Sequence, residues 1–428
     1  MFRLTVTFEF YLTIANLKRT FFFILTSISI CSFSQPSELT GGIVDARFWE
    51  GDSTFPLVGS CLFFDGQLLS PEECKKAVGD IVSFPALFKS KGEKETGLGY
   101  ATYSVLVLLK DSHEKNMALA MPQMYSSYKL WANGKLVAEN GKVGKSIYDC
   151  VPQWLPQTVF IKVNGDSLNL VLQVANFHHA KGGIKEPIYL GTASKMQFKR
   201  MVAKFSNVTE AIVLLGVSVL FFFVYFSRTK KPVTLYFALL CLTWSVRSVF
   251  SNLYLGISIF PNFDWTTMVR IEYLTLYLTM TWAILFLSQI FQNEANILFK
   301  YSMVFCNLIF TIVTLISSVR SFTQWLNVYL IASAILLAYG GFTVIRAWVN
   351  ERVGSGLLTI SIILGINIFA YDIFVYEGFS SYDPFIFSFG YISIFLLMSW
   401  ALSMHLGLIK SKPSPTTRLT YDDLYKKE

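Results

Sequence analysis

TEAIVLLGVSVLFFFVYF occupies residues 209–226. A soluble helix needs a polar face at helical period, and this run reads as apolar all round. With its flanks it reaches the roughly 20 residues that span a hydrocarbon core. Counting this one, seven such runs follow one another at 208–228, 233–252, 266–291, 299–318, 323–347, 355–377 and 385–408. Backbone polar groups find no water in lipid, so runs of this length must be helical. The expectation is a membrane protein whose residues 201–410 form a seven-helix transmembrane bundle.

Composition requires a second part. The 428 residues are 53% hydrophobic but still 15% charged, too greasy for an ordinary soluble protein and too charged for a bundle alone. The net charge of +8 does not point to nucleic acid, because residues 36–200 hold 18 Lys and Arg against 16 Asp and Glu. The excess sits in the first 35 residues and at helix ends, where membrane topology places it. Nor is there a basic stripe with interleaved aromatics.

Residues 1–34 read as a secretory signal peptide. Arg3, Lys18 and Arg19 precede the apolar TFFFILTSISICSF at 20–33, and Ser32 and Ser34 stand at −3 and −1 of a cleavage site before Gln35. An uncleaved anchor is the rival reading. A lipoprotein site at Cys31 is disfavoured by the bulky Ile-Ser-Ile before it.

Residues 35–200 read as the soluble domain. Strand-like runs recur with turn signals between them: GSCLFFDGQLL, ATYSVLVLLKD, NMALAMPQ, SSYKLWANGKLVAEN, QTVFIKVNG and LNLVLQVANFHH. Asn133-Gly134 divides two alternating runs, the strongest short-range hairpin signal, since a type I′ turn needs positive φ at both central residues. No long helix-period run interrupts them, so an all-β jelly-roll sandwich is expected. The odd count of Cys61, Cys74 and Cys150 permits one internal pair, with Cys61–Cys74 the nearer, or three free thiols. Residues 196–207, MQFKRMVAKFSN, read as a short basic-apolar connector into the first span.

Loop charges set an orientation. If the leader exports residues 35–200, Arg228, Lys230, Lys231, Lys300, Arg346, Arg352, Lys410 and Lys412 all lie at the cytoplasmic ends. The opposite loops hold Arg320 alone. Leader and positive-inside rule agree without being fitted to one another. The tail 411–428 is polar, Pro-containing and too short to build a core.

No phosphate loop, HExxH, GxSxG or Gly-rich dinucleotide turn is present, and no Cys/His metal spacing, so no enzyme, cofactor or metal is expected. Binding groups gather instead at strand ends. Trp131, Glu139, Asn140, His178, His179 and Lys181 form a candidate ligand site on the sandwich rim, with Asn133, Trp154 and Asn176 nearby. Aromatic faces and amides suit a polyhydroxylated ligand. The plainer reading makes Trp131 a core residue, Asn133 a turn residue, and the two histidines a strand end with one ring packed and one solvated. Within the spans, Arg247, Arg270, Glu272 and Asp372 fall at one depth beneath the domain. Each is costly in lipid. They either snorkel to the interface or form a network, with Arg247–Glu272 and Arg270–Asp372 the economical pairs.

YKLWANGKLVAENGKVGKS at 128–146 and LQVANFHHAKGGIKEPIYLG at 172–191, followed by seven spans, resemble the bacterial seven-transmembrane receptors with diverse intracellular signalling modules. That resemblance implies a galactose-binding-like jelly roll outside the bacterial inner (plasma) membrane and a bundle that relays occupancy inward. It implies a small-molecule or carbohydrate ligand. Such receptors usually carry a signalling enzyme after the seventh span. Here about 20 residues follow, so a separate cytoplasmic signalling protein is expected as partner, besides the lipid bilayer and with no nucleic acid. A transporter or transport accessory with a substrate-capturing cap is the alternative, though no internal repeat supports it. A lipid-modifying membrane enzyme is a further rival and lacks a nucleophile–base pair.

Overall fold

The computed structural model describes residues 41–51, 53–88, 97–110, 115–260, 262–376 and 382–409. The expected leader, the tail with Lys410 and Lys412, and most of the loop 378–384 lie outside them.

The N-terminal part is a two-sheet β sandwich. Its strands are β1 (Ile43–Ala46), β2 (Phe55–Leu57), β3 (Gly59–Asp65), β4 (Asp80–Phe84), β5 (Gly99–Leu109), β6 (Lys115–Met121), β7 (Ser127–Ala132), β8 (Lys135–Asn140), β9 (Gln157–Val163), β10 (Ser167–Asn176) and β11 (Ile188–Thr192). One sheet has the order β4-β3-β5-β10-β7-β8, and β1 runs parallel beside the end of β5. The other is β2-β11-β6-β9. Every other pairing between neighbouring strands is antiparallel. β10 sits between β5 and β7 and buries its last seven residues in succession, as a central strand covered on both faces does. The β7–β8 hairpin turns at Asn133 (φ 47°) and Gly134 (φ 80°), the positive pair that the dipeptide predicted. Asn133 Oδ1 also accepts the Asn169 N–H at 2.8 Å, tying the turn to β10.

One helix interrupts the strands. α1 (Pro71–Cys74) is a single turn opened by Ser70 and Glu73, which cap one another reciprocally. Trp131, partly buried, packs beneath it against Phe64, Cys74 and Val171. Cys61, Cys74 and Cys150 are free and buried.

Seven helices are long and apolar enough to cross a membrane. They are α2 (Ala193–Val224, continued by a π turn to Thr229), α3 (Pro232–Phe250), α5 (Trp265–Ile290), α6 (Ile297–Ile316), α8 (Leu326–Val349), α9 (Ser355–Tyr376) and α10 (Pro384–His405). Two short helices, α4 (Leu255–Ile259) and α7 (Val319–Thr323), fill loops on the sandwich side. α2 starts at Ala193, directly after β11, so the basic-apolar stretch 196–207 is the first turns of the first span and not a separate connector. Nor is that span apolar all round. Ser206, Asn207, Glu210, Leu214, Ser218 and Phe221 form one buried stripe at helical spacing, and Ser218 Oγ donates to the Ala238 carbonyl at 2.8 Å.

The spans close a ring, α2-α3-α5-α8-α9-α10 and back to α2, with α6 outside it against α5. Phe221, Phe237, Phe286, Val344, Leu358 and Phe395 pack the ring's interior away from the sandwich. A second apolar cluster crosses the joint: Trp154 of the sandwich packs with Tyr254, Trp265, Met268 and Tyr273.

Candidate functional site at the joint of sandwich and bundle

The loop after β10 is built around one side chain. Asn176, fully buried, points Nδ2 at the carbonyls of Gly97, His179 and Lys181, 2.7, 2.8 and 2.9 Å away, which share its two N–H bonds. Its Oδ1 accepts the His178 and His179 N–H groups at 3.2 and 3.0 Å. Gly182 follows because a Cβ there would lie 2.0 Å from the Gly97 carbonyl oxygen. The loop so fixed presses on the bundle. The Ala180 N–H donates to Thr323 Oγ1 of α7 at 3.2 Å, and the His178 ring meets Trp265 edge-on, 6.2 Å between centroids.

His179 is buried in the joint, stacked on Tyr125 at 4.8 Å and edge-on to Trp154 at 5.5 Å. Trp154 in turn contacts Tyr254 at 5.3 Å and Trp265 at 5.6 Å. The Lys181 N–H points at His179 Nδ1 from 3.0 Å and can donate only to an unprotonated nitrogen. Burial away from water holds the His179 ring down at a pKa of about 4, so it is neutral at pH 7. Burial also pushes the neighbouring Glu186 carboxyl up.

Beneath these residues lies a cavity of about 180 Å³. The sandwich lines it with Gln123, Tyr125, Trp154, His179, Lys185 and Glu186. The ring lines it with Trp244 and Arg247 of α3, Glu272 and Tyr273 of α5, Asp372 of α9 and Tyr391 of α10, among others. Tyr254, from the loop before α4, donates its hydroxyl to Gln123 Oε1 at 2.9 Å and faces both carboxylate oxygens of Glu272 at 3.5 and 3.4 Å. A smaller cavity adjoins, sharing Trp244, Arg247, Asn252, Asp372 and Tyr391 and adding Glu210. Trp244 Nε1 donates to Glu210 Oε1 at 2.9 Å.

The ten candidate residues therefore divide. His179, Arg247, Glu272 and Asp372 line one cavity, and His178 and Lys181 belong to the loop that covers it. Trp131, Glu139 and Asn140 stand elsewhere. Trp131 is partly buried under α1, Glu139 is exposed and 3.9 Å from Lys129, and Asn140 is buried with Nδ2 donating to the Gln153 carbonyl at 3.0 Å. The expected ion pairs are not formed. Arg247 Nη1 donates to the Glu272 backbone carbonyl at 2.7 Å, and Arg270 turns away from Asp372 to donate Nη2 to the Ser317 carbonyl at 3.1 Å. Residues two apart on a helix point about 200° apart, so Arg270 and Glu272 could not both face the ring. Glu210, Tyr254, Tyr125, Lys185 and Glu186 went unpredicted. Glu210 carried a signal, an acid at the head of an apolar run.

A β sandwich seated by buried aromatics on seven apolar helices defines a multi-pass membrane protein of the receptor-like class. Residues 211–404 match the model of the family described as 7TM diverse intracellular signalling. No curated protein sequence matches. Among solved structures, a β-galacturonidase from Eisenbergiella tayi is similar at 14% identity and TM-score 0.24, over 32% of this chain and 24% of that one. A β-glucuronidase from Faecalibacterium prausnitzii is similar at 14% identity and TM-score 0.23, over 32% and 31%. One from Ruminococcus gnavus gives 13% and 0.25, over 32% and 28%. The chain thus spans about a quarter to a third of those enzymes, and likeness this slight says nothing about activity. The matching family is one of signalling receptor domains, not an enzyme class.

Proposed function

We propose that this chain is a transmembrane sensor of the bacterial inner membrane. Residues 35–200 face the periplasm or exterior and receive a small ligand, carbohydrate being one candidate, and residues 201–410 relay its presence. A separate cytoplasmic signalling protein reads the far ends of the helices. The observation that carries this reading is the Trp154 cluster. One side chain of the sandwich is packed into the core of the bundle with Tyr254 and Trp265, so a shift in the sandwich cannot leave the helices unmoved. Loop charges support the orientation, since Arg228, Lys230, Lys231, Lys300, Arg346 and Arg352 lie at the end away from the sandwich. A ligand acts by preferring one of two bundle packings.

Two measurements test this. A reporter fused after Lys412 is expected to be active only in the cytoplasm, and one after Tyr382 only outside; reversed signals overturn the orientation. Metabolites that stabilise the full chain in lipid nanodiscs are expected to change hydrogen exchange in the far loops 291–296 and 350–354. Uptake of such a metabolite into vesicles, with those loops unchanged, would favour a transporter instead.

A further inference from the structure

We infer that the cavity between the sandwich and the ring of helices binds a small ligand bearing an ammonium group. This deepens the receptor reading and takes its meaning from it. Size comes first. At about 180 Å³ the cavity exceeds the ~150 Å³ that admits a benzene-sized molecule. It suits a ligand of roughly six to ten non-hydrogen atoms.

Charge comes second. Glu186, Glu272 and Asp372 face Lys185 and Arg247 across the cavity, and Glu210 adds a fourth carboxylate through the adjoining one. Arg247 is already engaged: it donates to the Glu272 backbone carbonyl and lies over the Trp244 ring, 5.9 Å from its centroid. With Lys185 it makes two cations against Glu186, Glu210, Glu272 and Asp372. Among the described residues Glu272 meets the Tyr254 hydroxyl alone, at 3.4 and 3.5 Å, and Asp372 has no hydrogen-bond partner, with Arg247 and Lys185 as the cations near it. Both are half-buried, and carboxylates drawn partly out of water with so few hydrogen bonds favour a cation or hydrogen-bond donor beside them. A small organic ammonium supplies the cation.

The walls come third. Tyr125, Trp154, Tyr254, Tyr273 and Tyr391 surround the acids with aromatic faces, which attract an organic cation at its methyl or methylene groups. Trp154 is 2% exposed, and its Nε1 is buried with no partner, a donor left over for the polar end of a ligand. A carbohydrate would want hydroxyl-matching amides in place of these carboxylates, and among the described residues Gln123 and Asn252 are the amides in the lining. The ammonium has two possible sources at a membrane boundary, a free amine or the headgroup of phosphatidylethanolamine.

The test uses the full chain in nanodiscs of pure phosphatidylglycerol. Choline is titrated beside 3,3-dimethylbutan-1-ol, its neutral isostere, following tryptophan fluorescence and the thermal midpoint. Choline is expected to bind saturably and to raise the midpoint, with the alcohol at least tenfold weaker. Asp372→Asn and, on the sandwich side, Glu186→Gln are each expected to weaken choline at least tenfold. Adding phosphatidylethanolamine to the discs separates the sources. Loss of the choline response identifies the headgroup as occupant, and its persistence identifies a free amine; either supports the site. Equal binding of choline and the alcohol overturns it, as does unchanged choline affinity in both variants. A neutral sugar that alters exchange in the far loops while choline is silent overturns the ammonium site and leaves the receptor reading intact. Choline bound in the cavity with far loops unchanged does the reverse.

Discussion

The two ends of the bundle treat buried charge in opposite ways. At the end away from the sandwich, Glu294 has a side chain only 2% exposed and is fully met: Arg352 Nε donates to it at 2.7 Å and Asn350 Nδ2 at 3.2 Å. That pair fastens the α5–α6 loop to the α8–α9 loop. At the sandwich end, Arg247 faces Glu210, Glu272 and Asp372 and spends a hydrogen bond on a backbone carbonyl instead. One end is closed by its own residues. The other keeps donors and acceptors around a space.

If the sandwich end is held by aromatic packing rather than by ion pairs, its weakest point is Trp154. Trp154→Ala removes a side chain buried against His179, Tyr254 and Trp265. The expected cost is about 3–5 kcal/mol. Thermal unfolding of the full chain is expected to split into separate sandwich and bundle transitions. A single transition at the wild-type midpoint would mean that the two parts do not lean on one another there.

The joint should also carry a pH dependence of its own. His179 is held at a pKa of about 4, below its ordinary 6.5, because burial disfavours the charged ring. The neutral ring's contribution is complete above pH 6.5 and is lost as pH falls from there toward about 4, where the folded protein also takes up the proton. The loss amounts to at most about 3 kcal/mol. Unfolding midpoints between pH 7 and 4 are expected to fall more steeply in the wild type than in His179→Phe. Parallel curves would place the histidine outside the stability balance.

This contrast shows what a sequence can carry. Six of the spans begin and end within three residues of the expected positions, because hydrocarbon thickness and the need for internal hydrogen bonds leave no other solution. The first started earlier than expected, at Ala193, because MQFKRMVAKF was read by its charge, although no breaker separates it from the span. The charged depth was legible, since ionisable groups in apolar runs are rare. Their pairing was not. It depends on rotation about each helix axis, which packing decides, and packing sent Arg270 to Ser317. The cavity's roof was invisible for a similar reason: Tyr125, Trp154 and Glu186 converge only when the sandwich is seated. The strands that went unread, β1, β2, β4 and β11, are three to five residues long and too short to show alternation.

At the far end, Arg352→Met tests whether the fastening matters. Burial pushes the Glu294 carboxyl up, but hydrogen bonds from Arg352 and Asn350 outweigh that and hold it below the usual range. Removing a partner from a fully buried pair costs about 3–5 kcal/mol. The Arg352 side chain is 44% exposed, so water replaces part of the loss and about 1–3 kcal/mol is expected. The effect should vanish in Glu294→Gln, where no charge is stranded. A double-mutant cycle without coupling would remove the contrast between the two ends.

The smallest effect belongs to a place that touches neither end. Gly134 sits at φ 80° in the β7–β8 turn, and a Cβ built on it meets only Glu72 Oε1, at 4.0 Å. Its cost on substitution is therefore conformational and not steric. Gly134→Val forces a β-branched residue into positive φ, for about 1 kcal/mol or more. Gly134→Asn should cost much less, because asparagine tolerates the left-handed region. Both variants should lower the unfolding midpoint of the sandwich and leave the response to a ligand in the joint unchanged. Gly182 is the control. A Cβ there runs into the Gly97 carbonyl at 2.0 Å, in the loop that seats on α7, so Gly182→Ala should disturb packing and ligand response together. If Gly134→Val weakened ligand response as much as Gly182→Ala, the sandwich would have to act as one stiff body, and the joint would lose its claim to be where signal and stability meet.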